Sequence, residues 1–490
     1  MLDALGADPL TPAFEHGDRV VVRGELLELV GRCTAGLRAA GLGPRDGVAI
    51  DTAVTPEGFA VQLAAHVLGC RVIGLRPGLT PAQLAHILDQ DVRVVVTDDP
   101  RPQLRAAAGD VELLELGPAL LRAQETPVAR GELDDDALVV FTSGSTGNPK
   151  GTAFDYRAMT EHWSWQAPAW TERTAELAAK YRRFLLFGTL SSAVMLEHLA
   201  LCLLSGGTAV IPRERPEFPR VLEELRITAC LLTVARLHQI LESLDERDHD
   251  LSAARMLLVA GSPLAPHKLA EAHARIGHAV HLGYGQTETG MLSLLSAADI
   301  AERQQAANSV GRPWDGVELE VRDHAGRPLP AGSDGEVWVR TASALRGYWR
   351  DPAETAEVLH DGWVRTRDVG HLDEAGFLHL TGRARDVVIV NAILHYAGPI
   401  ERALAAHPAV DQAFVIGVPD ERTGEAIHAH LVLAGDVEPD HEELRALVAA
   451  ELGAAAAPVE IGVLRQVPLT ATGKPDKQAL RALTTIPEPR

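Results

Sequence analysis

The run Thr142-Ser143-Gly144-Ser145-Thr146-Gly147-Asn148-Pro149-Lys150-Gly151 constrains this chain more than any other segment. It follows the apolar stretch Ala137-Leu138-Val139-Val140-Phe141, which reads as a short buried strand, and its glycines mark a tight turn. Glycines let backbone N–H groups approach an oxyanion, Ser and Thr add hydroxyl donors, and Lys150 adds a positive charge, so the segment has the makings of a phosphate cradle. It is not the ordinary P-loop, in which Ser or Thr follows the lysine, because Gly151 follows Lys150.

On either side of this loop, apolar strands alternate with helical patterns. Leu26 to Gly41 and Pro56 to Leu68 read as helices, with strands at Gly47–Ile50, Arg71–Leu75 and Val92–Val96. The texture resumes with a helix at Leu196–Leu204 and strands at Thr208–Ile211, Cys230–Leu232 and Met256–Val259. Strands alternating with helices indicate parallel α/β sheets, and the repetition predicts two of them. The two-residue alternation Val317-Glu318-Leu319-Glu320-Val321 opens a β-ribbon reaching to Val339. Beyond the charged segment Arg383–Asp386 comes a smaller unit. It has predicted helices at Gly398–Ala406 and His441–Leu452, strands at Ala413–Val418 and Ile427–Leu433, and a surface connection at Leu452–Pro458.

The 490 residues allow more than one domain, and a net charge of −21 argues against nucleic-acid or anionic-membrane binding through a general field. An anionic ligand must therefore be held by local groups. Only five lysines occur, Lys150, Lys180, Lys268, Lys474 and Lys477, in a chain that otherwise uses arginine. Cys33, Cys70, Cys202 and Cys230 lack metal-ligand spacing and read as buried thiols. The N-terminal residues lack the basic start and apolar core of a signal peptide, and a cytoplasmic location is expected.

Six motifs in one order resemble those of the adenylate-forming superfamily, which includes acyl-CoA synthetases, stand-alone adenylation domains and luciferases. They are the 142–151 loop, Tyr284-Gly285-Gln286-Thr287-Glu288, the Gly335 to Trp349 landmark, Thr366-Arg367-Asp368, Gly382-Arg383-Ala384-Arg385-Asp386 and Pro468 to Lys474. The resemblance implies an α/β fold. A large N-terminal domain of doubled mixed α/β sheets plus a β-ribbon subdomain (1–382) would be joined by a hinge (383–386) to a small mobile α+β C-terminal domain (387–490). It also implies ATP- and magnesium-dependent activation of a small-molecule carboxylic acid through an acyl-adenylate. Transfer to the thiol of CoA or of a carrier-protein phosphopantetheine would follow.

Residue by residue, the resemblance assigns Thr142, Ser143, Gly144, Ser145, Thr146, Gly147 and Lys150 to the phosphates, and Gly261, Ser262, Pro263, Tyr284, Gly285 and Gln286 to the nucleotide. Asp368 and Arg383 would hold the ribose, Thr287 the α-phosphate, and Glu288 the metal. Lys474 would bridge the attacking carboxylate and the α-phosphate, where charge develops. Arg385 would be the hinge about which the small domain rotates. Thr189, Ser192 and Gly283 would line the acyl pocket. A homodimer is left open.

The chain departs from the family pattern in three places. Arg367 stands where the family has glycine, where it would either contact phosphate, pairing also with Asp368, or crowd the nucleotide. Val390-Asn391-Ala392-Ile393-Leu394-His395 replaces the Gly-rich turn against which a pantetheine arm packs. The gate region Phe187-Gly188-Thr189-Leu190-Ser191-Ser192 lacks the family's aromatic and histidine. Those small residues, flanked by Val194, Met195 and Leu196, predict a roomy hydrophobic pocket, with Glu197 capping or solvating the helix. A hydrophobic or aryl acid is thus favoured over an amino acid. The alternatives are an enzyme limited to one half-reaction and a silent adenylate-binding sensor or scaffold. Retention of Lys150, Glu288 and Lys474 argues against the silent one.

Overall fold

The computed structural model describes residues 1–142, 149–383, 386–390, 393–420, 422–435, 437–470 and 474–484. One sheet runs in the order Glu112–Glu115, Val94–Thr97, Gly47–Asp51, Arg71–Gly74, Asp136–Thr142, Lys150–Asp155 and Gly347–Tyr348. Its first five strands pair in parallel and its last two antiparallel. All five residues of Gly47–Asp51 are buried, as expected of a parallel strand covered on both faces. The crossover helix Pro56–Val67 starts where the sequence says it should. Pro56 occupies its first turn, and the Thr55 hydroxyl accepts the Gly58 N–H at 3.0 Å.

A second sheet runs Arg19–Val22, Pro12–His16, Thr208–Ile211, Arg183–Leu185, Ala229–Thr233, Met256–Ala260, Val280–Gln286, Gly290–Leu295 and Arg312–Pro313. From Pro12–His16 to Val280–Gln286 its pairs are parallel. Doubled mixed sheets are therefore present, as the alternating pattern predicted. Open α/β sheets bind ligands at the carboxyl ends of their strands. Here the candidate segments at Thr142, Gly261 and Gln286 all lie at or just past such ends.

The predicted ribbon is the antiparallel pair Glu318–Arg322 and Gly335–Arg340, which continues into Trp363–Leu372 and Leu378–Arg383. In this ribbon Asp368 lies in register with Arg383. The remaining elements form a separate core around Val388, Ile400, Leu404, Val415, Leu431 and Leu444. It is built from the sheet Ile393–Tyr396, Val387–Val390, Gly424–Leu433, Val410–Asp420 and Glu460–Leu464, with helices Ala397–Ala405 and His441–Leu452 against it. The expected surface connection after Leu452 is only partly that, since Ala456 in the turn Ala454–Ala456 is 2% exposed. All four cysteines are buried and free. No described helix is long and apolar enough to cross a membrane.

Candidate active site

Three strands, Trp363–Leu372, Val280–Gln286 and Leu378–Arg383, meet at Asp368. Its carboxylate is 4% exposed and accepts the Tyr284 hydroxyl at 2.6 Å on one oxygen and Arg383 Nε at 2.9 Å on the other. Burial and the Asp368 charge push the Tyr284 hydroxyl well above its ordinary pKa, and Asp368 raises that of Arg383. Tyr284 is thus a neutral donor that positions Asp368. A carboxylate has about four lone-pair sites, so two remain for a further pair of hydroxyls. Next along the strand, a Cβ on Gly285 would lie 2.3 Å from the Gly290 carbonyl oxygen, which leaves room only for glycine. Gln286 Nε2 is buried without a hydrogen-bond partner among the described residues, an open donor at the strand's end.

Thr287 and Glu288 occupy the turn between Val280–Gln286 and Gly290–Leu295. Glu288 Oε1 accepts the Tyr348 hydroxyl at 2.8 Å, while the Glu288 carbonyl accepts the Leu345 N–H at 2.7 Å. Sequence reading used Tyr348 only as a landmark and missed this role. Lys150, the first residue of Lys150–Asp155, lies 5.7 Å from the Tyr348 ring centroid and 3.1 Å from Glu354 Oε1. Ser143, Gly144, Ser145, Thr146 and Gly147 lie outside the described residues, as does the expected hinge Arg385.

Arg367 does not pair with Asp368. Its guanidinium bonds Glu354 Oε1 at 2.7 Å and Glu357 Oε2 at 3.0 Å, so Arg367 and Lys150 share one carboxylate oxygen. Its φ of +62° lies in the left-handed region, which supplies a physical reason for glycine at this place in the family. The backbone turn is kept here with a costlier residue, and the side chain is recruited into an ion-pair network.

Lys474 reaches the same region from the small core. Its loop is closed by Thr470 N–H to the Lys474 carbonyl at 2.8 Å, Lys474 N–H to Thr470 Oγ1 at 3.2 Å, and Asp476 N–H to the Pro468 carbonyl at 2.8 Å. Lys474 Cε lies 4.0 Å from where a Cβ on Gly261 would stand, and Gly261 has a φ of +93°. Partial burial and the Arg383 charge lower the lysine's pKa, against the opposing pull of Glu288 and Asp368. Arg76 also acts on Lys474 and donates to the Phe141 carbonyl beside Thr142, a second cation that no sequence motif signalled. Ser262 and Pro263 follow Gly261 directly, Pro263 exposed.

The acyl side differs most from expectation. Thr189 Oγ1 bonds Ser191 Oγ at 2.8 Å, and Ser192 Oγ caps the helix Ala193–Leu204 by accepting the Met195 N–H. Gly283 packs against Leu258, since a Cβ there would lie 2.9 Å from Leu258 Cδ1. Val194, expected to flank the pocket, is 42% exposed, whereas Glu197 is 3% exposed. Glu197 neither caps nor solvates its helix. It lies under the Thr287–Glu288 turn: a Cβ on Gly290 would stand 3.7 Å from Glu197 Oε2, 3.2 Å from His162 Nε2 and 3.8 Å from Ser343 Oγ. Burial pushes the Glu197 carboxyl up to about 8 and the rings of His162 and His198 down to about 3, so at neutral pH this cluster is largely uncharged. A helix-periodic apolar run around one carboxyl hid this cluster, because only the sheet packing decides which face is covered.

Clustered here are therefore two lysines, Lys150 and Lys474, two arginines, Arg76 and Arg383, a paired carboxylate, Asp368, a second carboxylate, Glu288, and an orphan amide, Gln286. That donor set fits a nucleoside triphosphate. Among the described residues no group of three or more His, Cys, Asp or Glu could hold a metal ion. Glu288 alone suits a magnesium ion that keeps its waters and takes phosphate oxygens from the substrate. A groove of about 760 Å³, lined by Lys180, Arg182, Arg226 and Arg255 among others, opens at the opposite end of the strand that leads to Gly261. It contains none of these groups.

The family described as AMP-binding enzyme matches residues 6–349, and its C-terminal domain matches residues 399–474. A feruloyl-CoA synthase of Amycolatopsis sp is 32% identical over 95% of this chain and 94% of its own. The amide bond synthetase McbA of Marinactinospora thermotolerans has a similar structure, with a TM-score of 0.86 at 34% identity over 99% of both chains. ATP-bound MatB of Rhodopseudomonas palustris gives a TM-score of 0.87 at 25% identity over 98% of both. This chain belongs to the AMP-binding enzymes, the adenylate-forming superfamily, whose common chemistry is ATP-dependent activation of an acid as its acyl-adenylate.

Proposed function

We propose that this enzyme activates a hydrophobic or aryl carboxylic acid with ATP and magnesium and then transfers the acyl group to the thiol of CoA. The observation that supports this reading best is the delivery of Lys474 to Gly261, within the field of Glu288, Asp368 and Arg383. In the first step a carboxylate oxygen attacks the α-phosphorus and the bond to pyrophosphate breaks. Lys474 offsets the charge gathering between the two anions, Thr287 contacts the α-phosphate, Lys150 faces the leaving group, and Glu288 would hold a magnesium ion, which would supply positive charge to the phosphates. Asp368, fixed by Tyr284 and Arg383, takes the ribose hydroxyls. In the second step residues 387–490 rotate about Arg385 to admit the thiol, whose sulfur attacks the acyl carbonyl with loss of its proton as the bond to the phosphate breaks and AMP leaves.

The similarity to a feruloyl-CoA synthase supports an aryl acid and CoA. The similarity to an amide bond synthetase favours a second acceptor, an amine. An amine sheds a proton as it attacks, and Glu197, buried beside the catalytic turn, can receive it only once ionised, which burial delays to about 8, so amide formation should need alkaline pH.

The test is acid-dependent pyrophosphate release over a panel of aryl and aliphatic acids, followed by product analysis with CoA, a carrier protein or an amine. Thioester with CoA supports the first reading. Amide without thioester, lost in Glu197→Gln while pyrophosphate release persists, selects the second. No acid-dependent pyrophosphate release with any acid would overturn both.

A further inference from the structure

Lys474 reaches Gly261 only in one placement of the small core on the large one, and something must hold that placement. Its loop is anchored to its own core by Lys477, whose ammonium lies 3.1 Å from both Asp386 and Glu401. Besides Arg402, which donates to the Leu380 and Thr381 carbonyls, and Gln412, whose Nε2 lies 3.2 Å from His238 Nδ1, the ionic contact across to the large core is made by Asp411, on the strand Val410–Asp420. One oxygen of Asp411 lies 3.0 Å from His238 Nδ1 and the other 2.8 Å from Lys268 Nζ. The two partners come from different helices, Val234–Glu246 and Pro266–Ile276. The carboxylate is 11% exposed, His238 8% and Lys268 19%, so the cluster is shielded at the junction. Burial would raise the Asp411 pKa, yet His238 and Lys268 more than reverse that and hold it well below the carboxylate range.

Position matters as much as strength. The helix bearing Lys268 begins just after the Gly261-Ser262-Pro263 turn to which Lys474 is delivered. One surface of the large core therefore carries both the destination of Lys474 and the anchor for Asp411. Any rotation that withdraws Lys474 must also part Asp411 from two donors on the other body.

We propose that Asp411 is a positioning residue for Lys474, an ionic latch that selects the placement competent for acid activation and opens when the small domain turns. This rests on the acid-activation reading above. A latch that favours one of two placements changes how often Lys474 is in place, and does not change how tightly ATP binds to the large core. Breaking it should therefore lower kcat and leave the KM for ATP nearly unchanged.

The experiment compares wild type, Asp411→Asn, Lys268→Ala and the double variant in acid-dependent pyrophosphate exchange and in acyl transfer from supplied acyl-adenylate. Melting temperature is followed in each. We expect Asp411→Asn to slow exchange by on the order of tenfold to a hundredfold in kcat, with transfer unchanged or faster. The double variant should lose little more than the single one, because one latch is lost only once. A parallel measurement needs no turnover. Since the four native cysteines are buried, cysteines introduced at the exposed Leu10 and Val437 accept fluorophores selectively, and energy transfer between them reports the placement of the two bodies. Asp411→Asn should shrink the population found in wild type.

Equal loss of both half-reactions together with a lower melting temperature would make Asp411 merely structural. An unchanged energy-transfer distribution would overturn the latch. If wild type shows no acid-dependent exchange while Asp411→Asn still shifts the distribution, the acid-activation reading fails and the latch stands.

Discussion

At the scale of single residues, the consequential chemistry lies in two cations and their neighbours. On the mechanism proposed above Lys474 acts where negative charge develops, and removal of such a contact costs about 10²–10³ in rate. Lys474→Ala should therefore reduce pyrophosphate exchange by about that factor and leave transfer from supplied acyl-adenylate intact; equal loss in both would remove Lys474 from the first step. The sign of its pH dependence follows from its surroundings. Partial burial and Arg383 lower its pKa, so the charged form is lost at lower pH than in a free lysine. The alkaline limb of exchange should lie below the ordinary lysine range, and Lys474→Arg, which does not titrate there, should flatten it. Arg367 acts more indirectly. It shares Glu354 Oε1 with Lys150 and so weakens the hold of that carboxylate on the lysine proposed to face the phosphates. Arg367→Gly should relieve a left-handed backbone cost of about 1 kcal/mol, while the closer Lys150–Glu354 pair raises the KM for ATP by about fivefold to tenfold. An unchanged KM in a steady-state titration would show that the shared oxygen has no bearing on the nucleotide.

At the scale of elements, the hairpin Val280–Gln286 to Gly290–Leu295 organises the site, since it presents Tyr284, Gln286, Thr287 and Glu288 in succession. Two glycines permit its tight course. Gly285 faces the Gly290 carbonyl, and Gly290 has a φ of +70° with His162, Glu197 and Ser343 crowded behind it. Gly290→Ala should destabilise the protein by about 1–2 kcal/mol in denaturant unfolding and slow exchange by shifting Thr287 and Glu288. Wild-type stability in that variant would mean that the buried cluster yields to a methyl group. The same hairpin explains why the sequence alone does not place Glu197. A lone carboxylate in an apolar helix is ordinarily turned to water, and only the strand Gly290–Leu295 lying across the helix Ala193–Leu204 buries it.

At the scale of the whole molecule, two bodies with separate cores meet at a site that neither completes alone. If the second half-reaction needs rotation, a flexible crosslink between cysteines introduced at Lys268 and Asp411 should preserve pyrophosphate exchange and abolish transfer to CoA. Cleavage of the linker should restore it. Undiminished transfer in the locked protein would show that the acceptor enters without rotation. Much of this organisation was legible in the sequence. The alternation of buried runs and helical periods dictated two parallel-rich sheets, because period and apolar content are local properties of a chain. The Thr142–Gly151 loop, the Tyr284–Glu288 segment and the Lys474 loop were legible for the same reason, each being a contiguous string whose chemistry is set by its own spacing. What only the tertiary structure decided are relations between distant segments. Arg367 turned to Glu354 and not to the adjacent Asp368, Tyr348 came to Glu288, Arg76 to Phe141, and Glu197 to the underside of the hairpin. His238 and Lys268 met Asp411 across more than 140 positions of sequence. Charge and hydrogen-bonding capacity can be read from one residue, but which partner satisfies them depends on distances that exist only after the sheets have packed.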